Sequence, residues 1–192
     1  MMTRYLRPAL SLLVVMTALL GLAYPLVITG LAQLALPRQA AGSLVYNRSG
    51  QLIGSSLIGQ AFSDPRYFRG RPSATSPQAY NGLASGGSNL GPLNPALIDQ
   101  VSAGVRALHA DDPDQAAPVP VDLVTASASG LDPDVSLAGA RYQIARIARA
   151  RGIAPAVVEK LIADHAQGRL AGLIGENRVN VLELNLALDQ LR

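Results

Sequence analysis

The chain reads as an α+β protein, with one N-terminal transmembrane helix followed by a single extracytoplasmic α+β domain. Three observations predict it. Residues 8–36 carry no charged side chain, and residues 43–58 hold two short apolar runs around a turn. From residue 94 onward, apolar residues recur at helical spacing.

The uncharged stretch reads PALSLLVVMTALLGLAYPLVITGLAQLAL. As a helix it reaches roughly 40 Å, ample for a hydrocarbon core that needs about 20 apolar residues. A cleaved signal peptide would carry an apolar region of only about 7–15 residues and a small-residue cleavage site. Leu34, Ala35, Leu36 and Pro37 do not supply one, so a retained anchor is expected. Arg4, Arg7 and the terminal amine precede the span, whereas only Arg38 follows it closely. The positive-inside rule then gives a short cytoplasmic N-terminus at residues 1–8, a transmembrane helix at 9–36 and an extracytoplasmic domain at 37–192. Thr17, Gly21 and Pro25 sit four apart on one helix face, a small-residue stripe suited to close helix packing. Pro25 should kink the helix near Tyr24.

The roughly 155 residues beyond the span suffice for one domain with a real core. The formal net charge is +3, of which Arg4 and Arg7 supply two, so the domain is nearly neutral. Without a basic stripe interleaved with aromatics, nucleic acid is not an expected partner. The absence of cysteine excludes disulfides and thiolate metal sites and fits an oxidising compartment. With two Phe and no Trp, the core must be built from Val, Ile, Leu and Ala.

Taken in order, residues 43–46 and 51–58 predict a β-hairpin around Asn47, Arg48, Ser49 and Gly50. Residues 59–95 lack periodicity, yet Phe62, Tyr67, Phe68 and Tyr80 predict an ordered loop rather than a disordered one. Asn94 and Pro95 open a helix with Leu97, Ile98, Val101, Val105 and Leu108 on one face, ended by the polar run 111–117. Residues 119–126 read as a strand and 127–134 as a small-residue loop. Ser136 caps a helix through Arg151, with Ala140, Ile144 and Ile147 inward, Tyr142, Arg146 and Arg149 on the wet side and Gly152 as its stop. Pro155 begins a helix carrying Val158, Leu161 and Ile162, ended by Gly168. The tail predicts a short strand closed by Val179 and a helix after Asn180.

Catalytic chemistry finds little footing. His109 and His165 each lie late in a predicted helix with no second His at ligand spacing. Asp111, Asp112 and Asp114 lack the glycine and terminal Glu of a calcium loop. Neither Ser127 nor Ser129 sits in a G-x-S-x-G elbow. No catalytic residue and no metal ligand are therefore assigned. Ser85, Gly86, Gly87, Ser88 and Asn89 form a glycine-rich loop without the Lys-Ser/Thr of a P-loop. It is similar to the Ser-Gly-Gly core of the ABC-transporter signature, although turn formation is the default.

Six blocks occur in order: Gly21-x-x-Tyr24-Pro25; Ile58-Gly59-Gln60-x-Phe62; Tyr67-Phe68-x-Gly70-Arg71-Pro72-Ser73-Ala74; Ser85-Gly86-Gly87-Ser88-Asn89; Leu123-Val124-Thr125-Ala126-Ser127-x-Ser129-Gly130-Leu131-Asp132; and the run from Val179 to Asp189. Together they closely resemble the C subunit of the bacterial Kdp potassium-transporting P-type ATPase. The resemblance implies an accessory, non-hydrolytic subunit of an inner-membrane complex. Its partners would be a channel-like potassium-selective subunit and a P-type ATPase subunit. It further implies no cofactor in this chain, with ATP, Mg and K+ handled by the complex. Thr17, Gly21, Tyr24 and Pro25 would pack the span against it. Gly59, Gln60, Phe62, Arg71, Pro72, Ser73, residues 85–89, Thr125, Ser127, Ser129, Gly130 and Asp132 would form docking or binding loops. Many relatives carry His or Asn then Ile-Ser-Pro where this chain has Asp134, Val135, Ser136 and Leu137. The rival expectation is a nucleotide-binding helper that raises the ATP affinity of the ATPase subunit through Ser85–Asn89. An extracytoplasmic domain meets no cytosolic ATP, so the docking role is preferred. A free-standing anchored domain that binds a small ligand is a third expectation, and it predicts no stable partner.

Overall fold

Pro25 has no N–H to give its helix, and the first element is built around that gap. In this computed structural model, which describes residues 3–191, α1 (Thr3–Ala18) runs through a π-helical turn at Leu19–Ala23 into α2 (Tyr24–Ala35). The N–H of Tyr24 reaches back five residues to the Leu19 carbonyl, immediately before Pro25. The expected irregularity near Tyr24 is thus a π turn, a form that commonly bends helices. Residues Arg4–Ala35 form a helix long and apolar enough to cross a membrane, with none of its apolar window buried. A short α3 (Pro37–Ala40) follows. Met1 and Met2 of the expected N-terminal stub, and Arg192, lie outside the described residues.

The chain divides into two units at Leu44 and Val45. Strands β1 (Leu44–Tyr46) and β2 (Leu52–Ser55) pair as the expected hairpin, β2 being shorter than the apolar run predicted. Asn47 organises the turn: its Oδ1 accepts from the Ser49 and Gln51 N–H groups at 3.1 and 2.9 Å. Gly50 takes φ +78° at the end of that turn. After the long loop comes α4 (Pro95–Asp111), whose Asn94 cap accepts from Ala96 N–H at 3.0 Å.

Residues 119–126 do not form the expected strand. They give a single 3-10 turn at Val121–Leu123, because Pro118 and Pro120 remove donors that a ladder needs. Ladder pairing falls instead to β3 (Asp134–Ser136) and β4 (Arg178–Asn180), antiparallel, with Val135 opposite Val179. Ser136 does cap the next helix, accepting from Gly139 N–H at 2.9 Å. That helix is interrupted at Gln143 into α5 (Leu137–Tyr142) and α6 (Ile144–Arg151), and Gly152 stops it in the left-handed region. Next come α7 (Pro155–His165) and α8 (Val181–Leu188), with Asn180 capping α8 through Glu183 N–H.

The core gathers Phe68 from the long loop with Val135, Ile147, Val158, Ile162, Val179, Leu184 and Leu188. Two face assignments are corrected. Tyr142 and Arg146, expected on the wet side, are buried. Ile98, expected inward, is exposed, and α4 buries none of its residues fully. Helical periodicity finds the apolar stripe but cannot show that a neighbouring loop covers the opposite face, as residues 65–69 cover α6.

Candidate functional site

The long loop has no ladder of its own, so side chains must satisfy its backbone. Two amides do this as clamps. Asn185 of α8 accepts from Phe68 N–H at 2.8 Å and donates to Phe68 C=O at 2.9 Å. Gln143 repeats the arrangement on Arg69, at 2.8 and 3.1 Å. Arg146 donates to the carbonyls of Pro65 and Tyr67 and to Gln143 Oε1. Burial pulls its pKa down to about 10, which still leaves it charged at neutral pH. Arg151 lies 4.8 Å over the Tyr67 ring and donates to Arg66 and Leu188 carbonyls.

Beyond this clamped segment, several of the sequence-predicted loop residues converge. Gly59 N–H donates to Leu131 C=O at 2.9 Å. Arg71 pairs with Asp132 at 3.2 Å and donates to Ala126 C=O. Ser73 Oγ donates to Gly130 C=O at 2.7 Å and accepts from Tyr80 N–H at 2.9 Å. The Gly86 N–H and the Ser85 hydroxyl both reach Ser129 C=O, at 2.8 and 3.0 Å. Tyr80 closes the set by donating its hydroxyl to Arg71 C=O. Burial, aided by the Asp132 carboxylate, lifts the Tyr80 pKa, so the hydroxyl remains a donor throughout the physiological range.

Close approach explains the glycines. A Cβ on Gly59 would stand 2.5 Å from the Tyr80 ring and 2.6 Å from Asp132 C=O. Gly130 takes φ +67°, and a Cβ there would meet Thr75 at 2.5 Å and Gly86 C=O at 2.6 Å. A Cβ on Gly87 would stand 3.0 Å from the Ala128 carbonyl oxygen.

Other expected residues stand apart from this cluster. Gln60 donates to Ile53 of the hairpin at 3.0 Å. Phe62 packs against Tyr67, ring centres 5.8 Å apart, and Pro72 lines a cavity of about 310 Å³ with Gln60, Phe62, Leu108 and Leu123. Ser88 accepts only a long bond from Leu90 N–H, and Asn89 is exposed at φ +53°. Thr125 bonds locally to Val121 C=O, while Ser127 is buried with its hydroxyl 3.5 Å from that of Ser129. Thr17, Gly21, Tyr24 and Pro25 belong to the first unit, where a Cβ on Gly21 would stand 3.8 Å from the Thr17 methyl, an ordinary contact.

Sequence reasoning missed Gln143, Arg146 and Asn185. A signal existed for Asn185, a lone amide within the apolar run Leu184 to Leu188. An amide on a buried face must find partners.

A cavity of about 190 Å³ opens beside Arg71 and Asp132, also lined by Asp122, Asp134, Glu176 and Arg178. Among the described residues, no group of three or more His, Asp or Glu is placed to hold a metal ion. Side-chain hydroxyls in the cluster bond backbone carbonyls, backbone N–H groups or one another.

The comparisons with known proteins cover the whole of this architecture. The family model described as "KdpC: K+-transporting ATPase, c chain" matches residues 6–190. The chain belongs to the KdpC family. The potassium-transporting ATPase KdpC subunit of Sorangium cellulosum (strain So ce56) is 62% identical over 191 residues, covering 100% of both chains. That of Variovorax paradoxus (strain S110) is 63% identical over 188 residues, covering 98% of this chain and 97% of the relative.

Proposed function

We propose that this chain is an accessory, non-hydrolytic subunit of an ATP-driven potassium uptake complex. One span anchors it, with the N-terminus cytoplasmic and the second unit outside. It docks on a potassium-selective subunit and a P-type ATPase subunit and stabilises both. The observation that carries this reading is the full-length likeness to KdpC subunits of potassium-transporting ATPases. In that role the loop cluster serves as the docking surface: its conformation is held by polar ties and close glycine contacts, so it is presented preformed. The Thr17, Gly21 and Pro25 stripe packs the span against a partner helix.

Replacing Gly21 with Leu tests the span. Weakened co-purification of partner subunits is expected, and unchanged recovery would count against packing through this face. A reporter fused to the C-terminus tests sidedness, with activity outside the cell expected.

The nucleotide-helper role has less physical support. A phosphate cradle needs free backbone N–H groups, but that of Gly86 is already spent on Ser129 and Gly87 is pressed against Ala128. A cytoplasmic reporter result would bring it forward.

A further inference from the structure

Leu170, Leu173 and Ile174 are 73%, 83% and 69% exposed, and all three stand on one tight turn. Singly exposed apolar side chains need no explanation, but several gathered at one tip do. From Leu170 to Gly175 the sequence is Leu-Ala-Gly-Leu-Ile-Gly, without a single side-chain donor or acceptor. The backbone there is closed on itself. Leu170 N–H donates to Ile174 C=O at 2.8 Å, and the N–H groups of Leu173 and Ile174 return to Leu170 C=O at 3.1 and 3.2 Å. Gly172 N–H donates to Arg169 C=O at 3.1 Å, and Ala171 and Gly172 fold the tip back at φ +52° and +75°. A turn with most of its N–H groups spent internally, here those of Leu170, Gly172, Leu173 and Ile174, enters a medium poor in hydrogen-bond partners at reduced cost.

We propose that this tip, residues 170–174, inserts into the headgroup–acyl boundary of the phospholipid bilayer that holds the chain's own N-terminal helix. The proposal rests on the reading of that helix as a membrane anchor. The helix ends at Ala35 and the second unit begins at Val45. Residues 36–44 reach at most about 30 Å even when fully extended, so the second unit is tethered within reach of the membrane. A protein partner is recognised through hydrogen bonds, about one per 100–200 Å² of interface, as well as through an apolar centre, and residues 170–175 carry no side chain able to make one. A lipid boundary asks for none. Arg169 and Glu176, both exposed, flank the tip with opposite charges. Insertion is therefore carried by apolar burial and is indifferent to anionic lipid.

The chain contains no cysteine, so single thiols can be introduced and labelled cleanly. The full chain carrying Leu173→Cys with an environment-sensitive fluorophore is placed in nanodiscs of phosphatidylethanolamine, with and without phosphatidylglycerol. The emission should shift to the blue and be lost to lipids spin-labelled near the headgroup, equally in both compositions. Ile174→Cys should behave alike, whereas Leu83→Cys, at a residue 99% exposed, should report water. Emission from both tip labels matching that of Leu83→Cys would overturn the proposal. So would shielding that appears only when partner subunits are bound, which would assign the tip to a protein contact. A Leu20→Cys label, quenched by deep spin labels, reads the anchor separately, so failure of the tip and failure of the span are told apart.

Discussion

Residues 134–191 bring six short elements together through buried apolar side chains, whereas residues 56–94 contain neither helix nor strand and contribute Phe68 alone to the core. The first region is specified by what it excludes from water. The second is specified by hydrogen bonds from Asn185, Gln143, Arg146, Arg71, Ser73 and Tyr80 and by glycines too close to neighbours to carry a side chain. The contrast teaches a division of labour. Apolar burial decides whether the domain folds, and polar ties decide which surface it presents. Damage to the first should lower the stability of the whole domain, and damage to the second should spare folding more than assembly.

The hardest test of the apolar half is Leu184→Ala. Leu184 is fully buried, and such truncations cost about 2–5 kcal/mol. Chemical denaturation in detergent should show a loss near the middle of that range. A loss below about 1 kcal/mol would mean the core is not where stability resides.

Asn185→Leu probes the joint between the halves. It leaves both Phe68 backbone groups without partners in a buried place, at about 1–3 kcal/mol each. Stability should fall by about 2–6 kcal/mol in sum, and amide exchange should quicken selectively at residues 65–69. Uniform quickening across the domain would erase the distinction between the regions.

Glycine scanning sharpens the loop side. Gly59→Ala meets the Tyr80 ring and a backbone carbonyl, and overpacking of that kind costs about 1–3 kcal/mol. Gly86→Ala meets nothing within 4 Å and should leave stability unchanged within about 0.5 kcal/mol. Recovery of partner subunits should fall for the first and hold for the second; equal effects would show that the close contacts do not matter.

The smallest effect is expected at Asp134. Burial lifts its carboxyl above the ordinary 3.8 despite Arg178 at 2.7 Å, with Asp132 adding to the rise. A carboxyl raised in the folded state is favoured when protonated, so its contribution to stability is greatest below pH 3.8 and declines as pH rises through the folded value. Asp134→Asn should therefore be at least as stable as the parent at pH 7, with the difference closing in acid. A clearly weaker variant at pH 7 would show that the Arg178 pair outweighs burial.

Much of the apolar half was legible in the sequence. Asn94, Ser136 and Asn180 cap helices as their types suggest, and Val158 and Ile162 face inward as their spacing requires. The strand expected at 119–126 does not form because Pro118 and Pro120 withhold ladder donors on either side of Val119, while the β3–β4 pair spans a separation that no local pattern reports. In the candidate site, Gly59, Arg71, Ser73, Ser85, Gly86, Ser129, Gly130 and Asp132 do meet. The clamps escaped because Gln143 and Arg146 look like a solvated helix face until the covering loop is seen.

Mild-detergent purification of the tagged chain from potassium-starved cells tests the central claim most directly. A large polytopic subunit and a P-type ATPase subunit should be recovered in stable association with it, and Gly59→Ala should reduce that recovery. A partnerless monomer from cells that express those subunits would contradict it.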